Sequence, residues 1–440
     1  MSFGKSGLRI AAAFTLLVSL LLLGAFAAAK DPVVLRVLYY FDATSPGAQR
    51  EIAEVWEAFD KANPDIKIVR EDLFNEPFHQ KTEIYAATGQ LPDVIYMWPG
   101  GRSTTLHTKK LVKDLTVLLG AARSEFSEAA LVPQAGGYLA ELPIGITSTH
   151  VLYVNHKMLK DLGLAVPKTY EELKAMVPKL KAAGKDVILM GAQDDWVMQS
   201  CLYSAIVGRM LGDKYVDDLI AGKAKFTDAP FVNTLKFYKQ LYADGVLSAK
   251  SLQTPYNEVN GLFAAGKAPF MVDGDWKVGN FLTDITTGEA LIPPDKQKDI
   301  GMTVFPEIPG EINHQTTSTV VGVGFGMNAN IPAGSEKERA AWKLIMWLNS
   351  PEVQKERLET GGAFPSRKGV TSDKLEPLAQ TRATFYGAYG GTYVLDNVLE
   401  ATVYLPINVG LQEIGLGLAT PEQVAAKVQK AYDAWRASQK

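Results

Sequence analysis

The sequence has very little cysteine. One residue in 440, Cys201, excludes an internal disulfide and a cysteine-based zinc site. The chain must hold itself together with an apolar core, and Cys201 sits in an apolar helical pattern as buried filler. The five histidines (His79, His107, His150, His156 and His314) are scattered. No pair has the helical spacing, with an acid between, that a metal site uses. Basic excess is also missing: 45 Lys and Arg stand against 48 Asp and Glu, a net of −3. Nothing there could hold a nucleic-acid backbone or an anionic membrane surface. No GxSxG elbow, GxxxxGK[ST] loop or GxGxxG strand-to-helix turn occurs. Val321 to Gly326 is glycine-rich, but its apolar residues alternate as in a strand. No metal and no cofactor is expected.

Long apolar runs are absent too, apart from one at the N-terminus. Lys5 and Arg9 precede the run Ile10 to Leu23, and Ala25-Phe26-Ala27-Ala28-Ala29 offers small-residue cleavage sites. About 14 apolar residues are too few to span a bilayer comfortably. The segment reads as a secretory signal peptide covering 1–29, with no cysteine at the cut for lipid attachment.

What remains is a globular chain with 47% apolar residues, long enough to favour two domains. Its grammar alternates strand and helix. Val33 to Phe41 is apolar except for Arg36, which reads as a strand buried on both faces. Ile52, Val55, Trp56 and Phe59 then recur at helical steps, Ile66 to Val69 reads as a strand, and Val94 to Met97 as another. That βαβαβ order predicts a parallel sheet covered by helices. It restarts at Val151 to Val154, with a capping box at Thr169 to Glu172 and a further strand at Val187 to Met190. Val320 to Phe325 is strand-like, Ser335 with Glu338 caps a helix, and Thr420-Pro421 opens the last helix.

The seven tryptophans divide into two groups. Trp56, Trp342, Trp347 and Trp435 fall on apolar helix faces and are assigned to packing. Trp98, Trp196 and Trp276 each follow the carboxyl end of a strand, where open α/β sheets place their ligand crevice. Each has polar company: Arg102 near Trp98; Asp194 and Asp195 before Trp196; Asp273, Gly274 and Asp275 before Trp276. A flat indole offers an apolar face, and carboxylates accept hydrogen bonds from hydroxyl groups. A sugar needs both. The same acids could instead be catalytic, with Asp195 and Asp275 as a glycosidase pair, although Asp beside Gly is common turn chemistry.

Four stretches together resemble the extracellular solute-binding proteins of ABC importers, in the sugar-binding family that includes maltose-binding protein. They are Leu91-Pro92-Asp93-Val94; LPIGITSTHVLYVNHKMLKDLGLAVPKTYEEL from Leu142 to Leu173; FAAGKAPFMVDGDW from Phe263 to Trp276; and GGAFPSRKGV from Gly361 to Val370. The likeness covers essentially the whole chain after residue 29. It implies an α/β protein of two lobes, each a mainly parallel sheet flanked by helices, joined by crossing hinge segments. Lobe 1 would take 30–143 plus 309–365 and lobe 2 would take 144–308 plus 366–440. Glu141 to Ile146, Thr303 to Pro309 and Phe364 to Arg367 would be the crossings.

By the same resemblance Trp276 would stack on sugar, with Asp194, Asp195, Trp196, Gly274 and Asp275 beside it. Asp42 and Trp98 would face the cleft from lobe 1, and Arg367 matches the arginine of the late turn. The implied function is capture of a saccharide, an oligosaccharide by preference, and delivery to the permease subunits of an ABC importer. A monomer in the periplasm is expected. The alternatives are a secreted glycoside hydrolase and a binding protein for another solute such as a polyamine or peptide.

Overall fold

The computed structural model describes residues 31–45, 47–133, 137–318 and 320–438. The expected signal segment, 1–29, lies outside the described residues. None of the described helices is long and apolar enough to cross a membrane.

Strand β1 (Val33–Tyr40) lies between β2 (Ile66–Leu73) and β3 (Val94–Met97), parallel to both. The sheet continues through β12 (Gly324–Met327) to β4 (Leu142–Pro143), giving the order β2-β1-β3-β12-β4. Because successive side chains of a strand point to opposite faces, β3 supplies two cores. Val94 and Tyr96 join the cluster around Leu35, Val55, Phe59 and Leu344, while Ile95 and Met97 join Leu106 and Val112 on the other face. That two-sided burial explains the unbroken apolar run Val94 to Met97, whereas the start of β1 leaves Val34 and Arg36 exposed. The helix Glu336–Leu348 starts where expected, with Ser335 Oγ accepting from the N–H of Glu338 at 3.1 Å.

The second lobe repeats the principle. Its sheet runs β7 (Ile188–Leu189), β8 (Phe270–Asp273), β6 (Val151–Asn155), β9 (Ile300–Thr303). Leu152, Val154, Phe270 and Val272 feed the larger core, which includes Cys201; Val151, Tyr153 and Met271 feed the smaller. Pairing is more mixed than the resemblance implied. β1 with its neighbours and β7 with β8 are parallel, whereas β12 runs antiparallel to β3 and β4, and β6 antiparallel to β8 and β9. A parallel neighbour needs a crossover that returns the chain to the same end. β12 enters directly from the hinge, so it runs the other way.

Among the described residues, three segments cross between the lobes. In the first, β5 (Ile146–Thr147) pairs antiparallel with β11 (Val320–Val321) of the second. Ile146 also exchanges backbone hydrogen bonds with Phe364, at 2.7 and 3.1 Å. The expected crossing at Thr303 to Pro309 lies instead inside lobe 2. Ile308 belongs to that core, and Glu311 pairs with Arg209 at 2.6 Å, out of solvent. The chain leaves lobe 2 only after Ser318, whose Oγ accepts from Thr149 N at 2.9 Å. The last crossing also comes later than residue 365. Ser366 still donates to Pro143 O and Ser372 to Glu359, both in lobe 1, and Glu376 then accepts from Thr283 N in lobe 2. Proline and glycine marked turns in the sequence, but buried side chains decide which lobe owns them.

Candidate functional site

A cavity of about 350 Å³ lies between the lobes, at the lower end of the range for small-molecule sites. All three tryptophans assigned to strand ends border it, each half-buried: Trp98 from lobe 1, Trp196 and Trp276 from lobe 2. On the lobe 1 side, Trp98 meets Tyr40 edge-on at 4.8 Å and His79 at 4.7 Å between ring centroids. Burial and the neighbouring Arg102 hold the imidazole of His79 neutral, so its Nε2 can accept from Arg102 Nη1 at 3.0 Å.

On the lobe 2 side, Trp196 lies 5.1 Å from Tyr256 and 6.2 Å from Trp276. β8 ends in the turn that presents Trp276. Its indole folds back over Gly274, where a Cβ would come within 2.2 Å of the ring. Only glycine allows that approach. The indole N–H donates to the Tyr256 hydroxyl at 2.6 Å. Beneath Tyr256, Lys277 Nζ stands 3.3 Å from the ring centroid and donates to the Tyr256 carbonyl at 3.1 Å. Asp273 lies 3.7 Å from the same ammonium, and burial pushes its carboxyl up to about 6 against that pull. The platform is thus held from below by a buried polar network.

Polar groups complete the wall. At the hinge end, Glu51, Glu356 and Arg357 border the cavity. Burial, reinforced by Glu51, pushes the Glu356 carboxyl up to about 7. At the open side the lobes touch directly. Arg102 donates from Nε to Asp396 Oδ2 at 2.9 Å, Asn75 Nδ2 to Asp194 Oδ1 at 3.1 Å, and Asn257 Nδ2 to Asp42 Oδ2 at 3.2 Å. A Cβ on Gly101 would fall 2.2 Å from the Leu399 carbonyl, so the two backbones meet closely there. Asn75 takes a positive φ of 56° at this lip, a conformation that costs a non-glycine residue energy and tends to occur at ligand clamps. The lobes are closed.

Over residues 54–381 the sequence matches the family profile described as bacterial extracellular solute-binding protein. The chain belongs to that family. This solute-binding protein is 24% identical over 378 residues to the galactooligosaccharide-binding protein of Bacillus subtilis, covering 84% of this chain and 83% of that one. A shorter match, 27% over 161 residues, covers 34% of the chain and 36% of the sn-glycerol-3-phosphate-binding periplasmic protein UgpB of Yersinia pestis bv. Antiqua. A solved chitin oligosaccharide binding protein superposes with a TM-score of 0.81 at 22% identity, over 92% of this chain and 100% of that one. The two-lobed fold is shared, and the family consists of binding proteins rather than enzymes.

Of the residues singled out from sequence, Asp42, Trp98, Trp196 and Trp276 line the cavity of this solute-binding protein. Asp194 and Asp195 stand behind it at the lip, where Asp194 holds Asn75 and Asp195 bonds to Asn408. Gly274 acts through the indole it accommodates. Asp275 and Arg367 are elsewhere. Asp275 is fully buried and bonded to Ser148 N and Arg382. Arg367 is buried against Phe126, donating to Asn349 O and paired with Glu125. Neither turn points its charge at the cleft, because each meets a buried partner first. The sequence reading missed Tyr256, His79, Glu51 and Glu356. Tyr256 and Glu51 sit within loop or helix patterns that carry no strand-end signal.

Proposed function

We propose that the protein captures a saccharide between its lobes and passes it to the permease subunits of an ABC importer. The observation that carries the proposal is the convergence of Trp98, Trp196 and Trp276 from two lobes on one closed cavity with carboxylates at its edge. Indole faces suit the C–H faces of a sugar ring, and carboxylates and amides suit its hydroxyls. A ligand touching both lobes favours closure by its differential affinity for that state, and the permease would recognise the closed form. The protein works as a monomer in the periplasm after removal of 1–29, without nucleic acid.

A phosphate-bearing solute fits less well. Asp42, Glu51, Glu76, Glu356 and Asp396 line the cavity against two guanidinium groups, and those are engaged: Arg102 by Asp396, Arg357 by Glu51. A dianion would meet net negative charge. A thermal-shift screen against saccharides, with glycerol phosphate as control, tests the reading. A true ligand at about a hundred times its dissociation constant adds about 2.7 kcal/mol of stability. No shift with any saccharide, or a shift with glycerol phosphate alone, would refute it.

A further inference from the structure

A second depression opens beside the cavity and shares Asp42, Ser45, Asn257 and Asn280 with it. The two spaces are therefore continuous along one edge of the cleft. This groove has its own floor, formed by Leu262, Leu282 and Leu291, the last of which is exposed. Its charge is one-sided. Asp42, Glu258, Asp284 and Glu289 border it, and among the described residues lining it there is no lysine or arginine. Beside these acids, Asn260 borders the groove with only 5% of its surface exposed, and its Oδ1 has no hydrogen-bond partner. Buried amide oxygens are almost always paired, and an unmet one marks a place where a donor is missing.

We propose that this groove is a subsite continuing the cleft, and that it takes a sugar unit carrying an ammonium group. The proposal rests on the saccharide-binding reading and names the class of saccharide: an oligosaccharide containing amino sugar. A cavity of about 350 Å³ leaves little room beyond a short saccharide, and its wall continues into this groove, which gives a longer ligand a path out of the cleft. An apolar floor supports the C–H face of a ring, and the carboxylates face its edge. An ammonium group is donor only, with three N–H bonds and no acceptor. It therefore matches a rim of acceptors better than a hydroxyl does, and it supplies the opposite charge. Asp42 stands at the junction, its Oδ1 held by Thr44 N at 2.9 Å and its Oδ2 by Asn257.

The test is calorimetry on the purified protein with three probes of equal length: the tetramer of β-1,4-linked glucosamine, its fully N-acetylated counterpart, and cellotetraose. The glucosamine tetramer should bind about tenfold more tightly than either neutral probe, as two or three partly screened ion pairs allow. Raising salt should shrink that preference. The triple variant Glu258→Gln, Asp284→Asn, Glu289→Gln alters surface groups away from the tryptophans. It should lose the preference, bringing the glucosamine tetramer to the affinity of the neutral probes measured on the same variant. Equal, weaker or absent binding of the glucosamine tetramer overturns the proposal, as does a preference that survives the triple variant. Binding of neutral saccharides alone sinks this inference and leaves the saccharide reading standing. Spermidine is run as a further titrant, and its binding in the absence of binding by any saccharide sinks both.

Discussion

Arg382 donates from Nε to Asp275 Oδ2 at 2.7 Å, and both side chains are shut away from solvent. The same carboxylate accepts from Ser148 N at 2.9 Å and lies against the Tyr386 hydroxyl, which also reaches the Ile146 carbonyl at 2.9 Å. Arg382 in turn donates to the Gly361 carbonyl at 2.8 Å. The turn that carries Trp276 is thereby tied to the first crossing segment and to the end of a lobe 1 helix. Removing one partner of a buried pair strands the other charge, at a cost of about 3–5 kcal/mol. Asp275→Ala is expected to lower unfolding free energy by that order in urea titrations. A glycosidase would instead lose turnover with stability intact.

Trp276→Ala and Trp196→Ala each remove an aromatic face from the platform. Burying such a side chain is worth about 1.5–3 kcal/mol, so saccharide affinity should fall roughly tenfold to a hundredfold by calorimetry. Gly274→Val provides a companion variant. It keeps the indole but displaces it, because the added carbons occupy the ring's place, and it should weaken binding comparably.

Arg102 borders the cavity but is engaged by Asp396 across the lip, so it acts with the Gly100-Gly101 turn mainly on closure. Arg102→Ala deletes the link to Asp396, and Gly101→Ala drives a methyl group into the Leu399 carbonyl. Both should shift the ligand-free protein toward an open state, seen as a larger radius of gyration in small-angle scattering. Both should weaken every ligand by one common factor, mainly through faster release. Tryptophan variants, by contrast, should change the ranking among ligands.

Glu356 gives stability a pH dependence. Unfolded, a glutamate titrates near about 4.3; folded, Glu356 keeps its proton to about 7. Between those values the folded state binds more protons, so this group's contribution falls as pH rises and is fully unfavourable above 7. Glu356→Gln should raise the melting temperature at pH 8, by up to about 3 kcal/mol in stability, and leave it unchanged at pH 4. Equal gains at both values would exclude the burial effect.

The sequence was most readable where periodicity met a single physical demand. Strands buried on both faces, as β3 is, must be apolar throughout, and capping residues such as Thr169 and Ser335 mark helix starts directly. Three indoles past strand ends pointed at one crevice for the same reason. Legibility failed where a side chain's partner lies far along the chain. Asp275 looked like a ligand group because Arg382 and Ser148 are remote in sequence, and Arg367 because Glu125 is. Strand direction failed likewise: nothing local in Gly324–Met327 announces that it enters from the hinge and runs antiparallel to β3.

That late strand has a consequence for synthesis. β12 sits between β3 and β4, yet it follows β3 by more than two hundred residues. Until it emerges, a nascent or truncated chain presents β3 as a bare apolar edge, a template for pairing with other chains. Fragments ending before residue 324 should therefore clump rather than yield a free first lobe, and an isolated lobe 1 would have to be built by splicing distant stretches together.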